Sequence, residues 1–396
     1  MTTVLPTGWV KVRLGDIAQI KTGTRNNQDK KDLGRYPFFV RSSQVERIDS
    51  YSYDCEAILV PGEGGIGSIF HYIHGKFEVH QRVYKISDFA AGISGKFIYY
   101  YMTHFFGEQA ARNSVKATVD SLRLPTFKSF EIVLSAEVRE QQAISRALED
   151  ADSSIASLER LITKKQAIKQ GMMQELLTGR TRLPDFTDQW RSVRLRDMGS
   201  TYGGLTGKDK DDFGTGSASY VTFLEVMASA RLLGQRLERV SVRPGERQNQ
   251  VQRGDILFNG SSETPEEVAL AAVVDYDPAP RTYLNSFCFG YRLADARVVD
   301  PLYLAYFFRS EGGRRLIASL AQGATRYNIS KTKLLELSPS LPRLDEQRAI
   351  VGVLRTVEDE IELMDARLQK ARDIKQGMMQ ELLTGRTRLP VREAVG

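Results

Sequence analysis

At 396 residues the chain is longer than one core usually holds, and its hydrophobic share of 41% is that of a globular protein. Its 55 basic and 49 acidic residues leave a formal charge of +6, a mild excess that suits a polyanion without demanding one. Low-complexity stretches, a basic-then-apolar pattern in residues 1–10 and apolar runs of bilayer length are all lacking, so disorder, export and membrane spanning are not expected.

Near the start, Trp9 is followed by Val12-Arg13-Leu14-Gly15-Asp16. A polar loop comes next, Lys21-Thr22-Gly23-Thr24-Arg25-Asn26-Asn27-Gln28-Asp29-Lys30-Lys31. It joins a flexible Gly to phosphate-binding Lys and to Arg, Asn and Gln side chains able to read base edges. Short apolar runs at 36–40, 57–60, 68–73 and 82–86 predict strands, and 96–106 predicts a helix. A second polar loop, Ser114-Val115-Lys116-Ala117-Thr118, precedes a long helical stretch over about 139–177.

The second half repeats this order. Trp190 precedes Val193-Arg194-Leu195-Arg196-Asp197, and the loop Gly203-Gly204-Leu205-Thr206-Gly207-Lys208-Asp209-Lys210 keeps the Gly, Thr and Lys character. Runs at 220–224, 255–258, 269–275 and 286–291 predict strands, and 301–308 a helix. Gly323-Ala324-Thr325-Arg326-Tyr327-Asn328-Ile329-Ser330 is the polar loop before the second long helix. Strands first and helices later make each half α+β. Divergent loops on one shared plan are what two binding domains with different targets should show.

The duplication is the strongest feature. Residues 168–184 read IKQGMMQELLTGRTRLP, and 374–390 read the same at an offset of 206. Glu140-Gln141-Gln142-Ala143-Ile144 likewise answers Glu346-Gln347-Arg348-Ala349-Ile350. The two Trp motifs lie 181 apart, so the second unit carries about 25 more residues in its variable part. A period this long means two whole domains, not a solenoid. Ile144, Leu148, Ala151, Ile155, Leu158 and Ile162 step by 4 and 3, as do Ile350, Leu354, Val357, Ile361, Met364 and Leu368. That spacing keeps one apolar seam toward a partner helix. Beyond it Lys165 and Ala371 occupy the next seam places, so a change of phase is expected, with the seam resuming at Ile168 and Met172 and at Ile374 and Met378. Each helix should stop near Gly179 or Gly385, with Pro a few residues on. An arm of this kind is ~58 Å long at 1.5 Å per residue. Packing the two arms antiparallel hides both seams, and an intermolecular coiled coil would hide them as well. The expected division is a variable domain at 1–136, a helix at 137–179, a second domain at 180–342 and a helix at 343–386. Since the second arm ends in Arg388-Leu389-Pro390, the same Arg-Leu-Pro that after the first arm leads into Trp190, and Leu5-Pro6 precedes Trp9, termini close in space are also expected.

Catalytic signatures are lacking. Gly62-Glu63-Gly64-Gly65-Ile66-Gly67 fits GxGxxG, but a strand-like run follows it and supplies no helix N-terminus for a pyrophosphate, so a glycine-rich hairpin is the better reading. His71, His74 and His80 cluster in sequence, with Asp54 or Cys55 as a further ligand on paper; the second half has no histidine, so no metal belongs to the shared plan. Cys55 and Cys288 fit neither a disulfide framework nor a CxxC pattern, which suits a reducing cytoplasm. No GxSxG, HExxH or Walker motif, PD…ExK pattern or Asn-Pro-Pro-aromatic motif is found. The reading is a non-catalytic protein with no cofactor of its own.

The duplicated set of a Trp-x2-VRLGD-type opening, a TGT loop, an (A/S)T…IS loop and an EQxAI helix ending in KQGMMQELLTGRTRLP resembles the specificity subunit of type I restriction–modification systems. The likeness covers essentially the whole chain. It implies two homologous target recognition domains joined by two long helices that form an antiparallel coiled coil, with pseudo-twofold symmetry. Each domain would read half of a split, asymmetric site in double-stranded DNA. Two adenine methyltransferase subunits using S-adenosylmethionine would flank the chain, and motor-nuclease subunits using ATP would join them. By that resemblance the DNA-facing residues are Lys21, Thr22, Thr24, Arg25, Asn26, Asn27, Lys30, Lys31, Arg41, Lys116 and Thr118 in the first half. In the second they are Thr206, Lys208, Lys210, Asn259, Ser261, Thr325, Arg326, Tyr327 and Asn328. Two other readings stay open: a specificity subunit whose partner fuses methyltransferase and nuclease, and a coiled-coil scaffold that binds protein.

Overall fold

Glu, Gln, Lys, Leu and Ala dominate both arm sequences, and such side chains lose little rotamer freedom in a helix. In the computed structural model, which describes residues 5–113, 121–295, 297–320, 322–323 and 326–390, they form two unbroken 39-residue helices, Val138–Leu176 and Leu344–Leu382. Among the described residues no helix is long and apolar enough to cross a membrane. The chain divides into two compact units, residues 1–160 with 366–396, and residues 161–365. Each long helix thus gives one end to each unit.

The expected change of phase does not occur. The 4-3 spacing runs on from Ile162 through Lys165, Lys169, Met172 and Leu176, and from Leu368 through Ala371, Lys375, Met378 and Leu382. Ile168 and Ile374, expected on the seam, are 39% and 53% exposed. Lysines stand there instead, because their alkyl stems cover apolar surface while the ammonium reaches a carboxylate. Within the second unit Lys165 pairs with Glu360 at 2.5 Å, Lys169 with Glu358 at 2.5 Å, and Arg182 with Glu346. Within the first, Arg372 pairs with Glu159 at 2.7 Å, Lys375 with Asp152 at 2.6 Å, and Arg388 with Glu140. Rising numbers on one segment meet falling numbers on the other, so the segments are antiparallel in each unit.

In the first unit a six-stranded sheet runs in the order Gln19–Thr22, Val83–Ser87, Tyr53–Pro61, His71–Val79, Tyr36–Phe39, Glu46–Ile48. The GxGxxG stretch is the connection of the antiparallel pair Tyr53–Pro61 and His71–Val79, with Gly64, Gly65 and Gly67 at positive φ and no helix after it. Helix Gly95–Arg112, capped by the Ser94 hydroxyl, packs on the sheet through Phe97, Ile98 and Phe106. In the second unit a five-stranded sheet runs Gly199–Gly203, Cys288–Leu293, Ile256–Asn259, Ala271–Val274, Arg231–Leu232, and a three-stranded sheet is built around Phe213–Val221. The strand expected over 220–224 ends at Val221, because the Thr222 hydroxyl caps a short helix, Phe223–Ala228.

The duplicated motifs are duplicated contacts. Gln141 accepts from the Ser94 backbone N–H and donates to the Gly92 and Ser135 carbonyls. Gln347 accepts from the Asp300 N–H and donates to the Pro342 carbonyl, which ties the same helix start in the other unit. Gly179 and Gly385 take φ of 71° and 69° just beyond the long helices, and a Cβ there would press on Trp190 and Trp9. Trp9, Ile144, Leu148, Met379, Leu382 and Leu383 belong to one core; Met173, Leu176, Leu177, Ile350, Val351 and Leu354 belong to the other.

Burial separates the true seam from its neighbours. Ile144→Ala and Leu354→Ala should each cost about 2–5 kcal/mol in urea unfolding, whereas Ile168→Ala should stay within about 0.5 kcal/mol.

Candidate nucleic-acid interface

The first polar loop of each domain leaves the sheet at a point of close backbone approach. A Cβ on Gly23 would lie 2.0 Å from the Val79 carbonyl oxygen, and one on Gly204 2.0 Å from that of Asn285. Both loops then form the same turn. Asn26 and Asp29 make a reciprocal capping box around the short helix Asn27–Asp29, and Asp209 and Asp212 do so around Lys210–Asp212. Asn26 is thereby committed to its own backbone, while Lys21, Thr22, Thr24 and Lys31 are exposed.

Arg25 is half-buried and reaches the carboxylate of Glu78, which is fully buried and also accepts from Ser52 at 2.7 Å. Arg25 therefore partners a buried charge first and is not a free surface cation. Asn27, Lys30 and Arg41 come together in one cleft of about 420 Å3 beside Glu46 and Glu63. Lys30 stands 3.6 Å from Glu46, and Glu63 lies 3.3 Å from both Arg41 and Arg82. His80 sits behind this cleft with its Nδ1 accepting from the Arg82 N–H. Burial, with Arg41 and Arg82 nearby, holds its pKa below the usual histidine value, so the ring is neutral at pH 7. Among the described residues no group of three His, Cys, Asp or Glu is placed to hold a metal.

In the second domain strand pairing builds the groove. Ser261–Ser262 pairs antiparallel with Tyr327–Asn328, Ser261 opposite Asn328 and Ser262 opposite Tyr327, so two loops distant in sequence become one surface. Thr206, Ser261 and Asn328 line a groove of about 550 Å3 together with Ser286, Phe287 and Lys331. Arg326 lies over the Phe287 ring at 5.6 Å and also lines a neighbouring 620 Å3 cleft with Ser262 and Glu263. Lys210 is exposed at the start of its short helix.

Three expected residues prove to be internal: Ser261, only 6% exposed, and two that their partners tie down, Asn259 and Lys208. Asn259 is fully buried; its amide donates to the Ser261 and Glu267 carbonyls, and its oxygen accepts from the Leu270 N–H at 2.6 Å. Lys208 keeps only 3% of its side chain exposed and sits 2.7 Å from Glu246. The ammonium of Lys208, the Gln248 amide and the Arg243 N–H together hold the Glu246 carboxyl down at about 2. Both residues shape the loops from within. Lys116, Thr118 and Thr325 lie outside the described residues.

Phe287, Lys331 and Arg82 were not singled out from the sequence. Phe287 is 60% exposed because its N–H is taken by the Asn285 side chain in a turn, and the strand begins only at Cys288. The Asn285-Ser286 pair ahead of it was the available turn signal. An exposed aromatic beside two cations and several hydroxyls suits stacking on a base or wedging at a base step.

Two α+β domains of one plan, set on duplicated helices and carrying unlike polar grooves, define a protein with two separate recognition surfaces. Residues 6–170 and again 187–372 match the type I restriction modification DNA specificity domain, so the chain belongs to that family, as a recognition component and not a catalytic one. It is 27% identical over 192 residues to the specificity subunit of the type I restriction enzyme EcoDI of Escherichia coli. That match spans 48% of this chain and 41% of the relative, so the chain covers less than half of the relative's length. To the type I restriction enzyme MjaVIII specificity subunit of Methanocaldococcus jannaschii it is 21% identical, across 97% of this chain and 94% of that one. Among solved structures, the type I restriction–modification S subunit from M. genitalium superposes with a TM-score of 0.64 at 14% identity, covering 96% and 98% of the two chains. A chain from a structure of type I complex assembly and conformational transition gives 0.58 at 14% identity, covering 97% and 100%. The fold is therefore shared across very different sequences.

Asn259→Ala removes the side-chain partner of three backbone groups, the Ser261 and Glu267 carbonyls and the Leu270 N–H. It should lower stability by about 1–3 kcal/mol in thermal unfolding, a loss that precedes any effect on recognition.

Proposed function

We propose that this chain recognises a bipartite, asymmetric site in double-stranded DNA and directs adenine methylation, and cleavage, by partner subunits in the cytoplasm. The observation that carries this reading is the contrast between halves: arm residues that are identical over a stretch of the repeat, and grooves that differ in chemistry. The first domain offers Asn27, Lys30, Arg41 and Arg82 around Glu63, a cleft rich in charge. The second offers hydroxyls, Asn328, Lys331 and an exposed Phe287. Unlike grooves select unlike half-sites, since base edges present distinct donor and acceptor patterns. Exposed Lys21, Lys31 and Lys210 are suited to phosphates, whose contacts position the protein without choosing sequence.

The family match supports two flanking adenine methyltransferase subunits and motor-nuclease subunits as the partners. S-adenosylmethionine and ATP belong to those partners. The long helices, ~58 Å each by their residue count, would set the unread gap between half-sites.

Co-expression with the methyltransferase partner, followed by single-molecule sequencing of methylated adenines, tests the reading directly. Two unlike half-sites at one fixed gap are expected; methylation without a bipartite motif would refute it. Removing one heptad from a long helix should change the gap and leave both half-sites as they were. Phe287→Ala should weaken cognate binding by about 1–3 kcal/mol with an unchanged salt slope, whereas Lys331→Ala should lower that slope by about one unit. Titration of a labelled cognate duplex across salt concentrations measures both.

A further inference from the structure

Three groups recur 206 residues apart and meet in the same way in both units. In the first, the Tyr100 hydroxyl donates to Asp152 Oδ2 at 2.9 Å, and Lys375 Nζ stands 2.6 Å from Oδ1 of the same carboxylate. In the second, the Tyr306 hydroxyl donates to Glu358 Oε2 at 2.5 Å, and Lys169 Nζ stands 2.5 Å from Oε1. Each triad draws on three elements. The tyrosine belongs to the recognition domain, on helix Gly95–Arg112 or Pro301–Arg309. The carboxylate belongs to one long helix and the lysine to the other.

The environment makes these contacts selective. Both tyrosines are buried, and burial together with the facing carboxylate pushes each phenol up, so each remains a protonated donor. Glu358 is itself buried, and a carboxylate there without partners would be strongly disfavoured. The lysines hold seam places where a leucine would pack. A leucine tolerates small sliding of one helix along another, whereas a polar group on a seam costs stability and specifies one register.

We propose that Tyr100–Asp152–Lys375 and Tyr306–Glu358–Lys169 are positioning residues that hold each recognition domain at one register on its helix pair, so that only one gap length is accepted. This rests on the bipartite reading proposed above. The triads touch no DNA and choose no base; they act through the placement of the domains that do.

The test uses the chain assembled with its methyltransferase subunits and a panel of duplexes. Both half-sites are kept, and the gap is native, one base pair shorter or one longer. The double variant Tyr100→Phe with Tyr306→Phe keeps both rings and removes both hydroxyls. Its ratio of native-gap to altered-gap methylation should fall by about tenfold, the effect of losing two hydrogen bonds of modest net worth, with half-site preference unchanged. Asp152→Glu, which copies the other triad, should keep the wild-type ratio, and Asp152→Ala should lose it. Lys375→Met with Lys169→Met keeps the alkyl packing and gives the same readout if Asp152→Ala fails to fold. An unchanged ratio in the hydroxyl and lysine variants, whatever their melting temperature, would overturn the proposal and leave the bipartite reading standing. A wild-type complex that methylates no bipartite motif would bring down both.

Discussion

Each domain core depends on apolar side chains that arrive from both long helices. In the first unit Ile144 and Leu148 come from the start of one helix and Met379, Leu382 and Leu383 from the end of the other, all packing among the same cluster as Trp9, Phe97, Ile132 and Leu134. In the second, Met173, Leu176 and Leu177 meet Ile350, Val351 and Leu354 beside Leu195, Tyr303 and Tyr306. A recognition domain is therefore completed by segments remote in sequence, as the Arg388–Glu140 contact across 248 residues shows. Contacts of such long range are costly in loop entropy and form late in folding.

That constraint explains where the repeat is strict. Glu140 and Glu346 face Arg388 and Arg182, Gln141 and Gln347 tie down the start of a domain helix, and Gly385 and Gly179 lie against Trp9 and Trp190. The Glu–Arg and Gly–Trp positions have to match because each touches another member of the shared set, while Gln141 and Gln347 match because each bonds backbone at the start of a domain helix. The loops meet no such demand. Gly23 and Gly204 are kept because the backbone passes close to a carbonyl, and the capping-box turn is kept with Asn26 in one half and Asp209 in the other. Beyond those anchors the side chains are free to differ, and there the two grooves diverge.

The seam shows the same economy. Ion pairs at Lys165, Lys169 and Lys375 stand where apolar packing would be the stronger source of stability. Their gain is in register, since a carboxylate has to be met at one place along the helix while an apolar ridge is nearly continuous.

Period, composition and repetition were enough to determine the two long helices, the α+β plan of each half and the lack of a catalytic motif, because these depend on local spacing and on residue types that must be present at all. The family likeness was legible for the same reason, carried by the duplicated arm sequence. Tertiary structure alone decided the rest. The phase of the seam past Ile162 turned on whether lysine stems pack, which depends on the carboxylate opposite. Asn259 and Lys208 count as DNA-facing by the family likeness, yet burial and their partners make them internal. Phe287 read as part of a strand, and only the Asn285 turn exposes it. Whether a polar side chain faces solvent or its own backbone is set by what the chain brings against it, and sequence spacing does not carry that information.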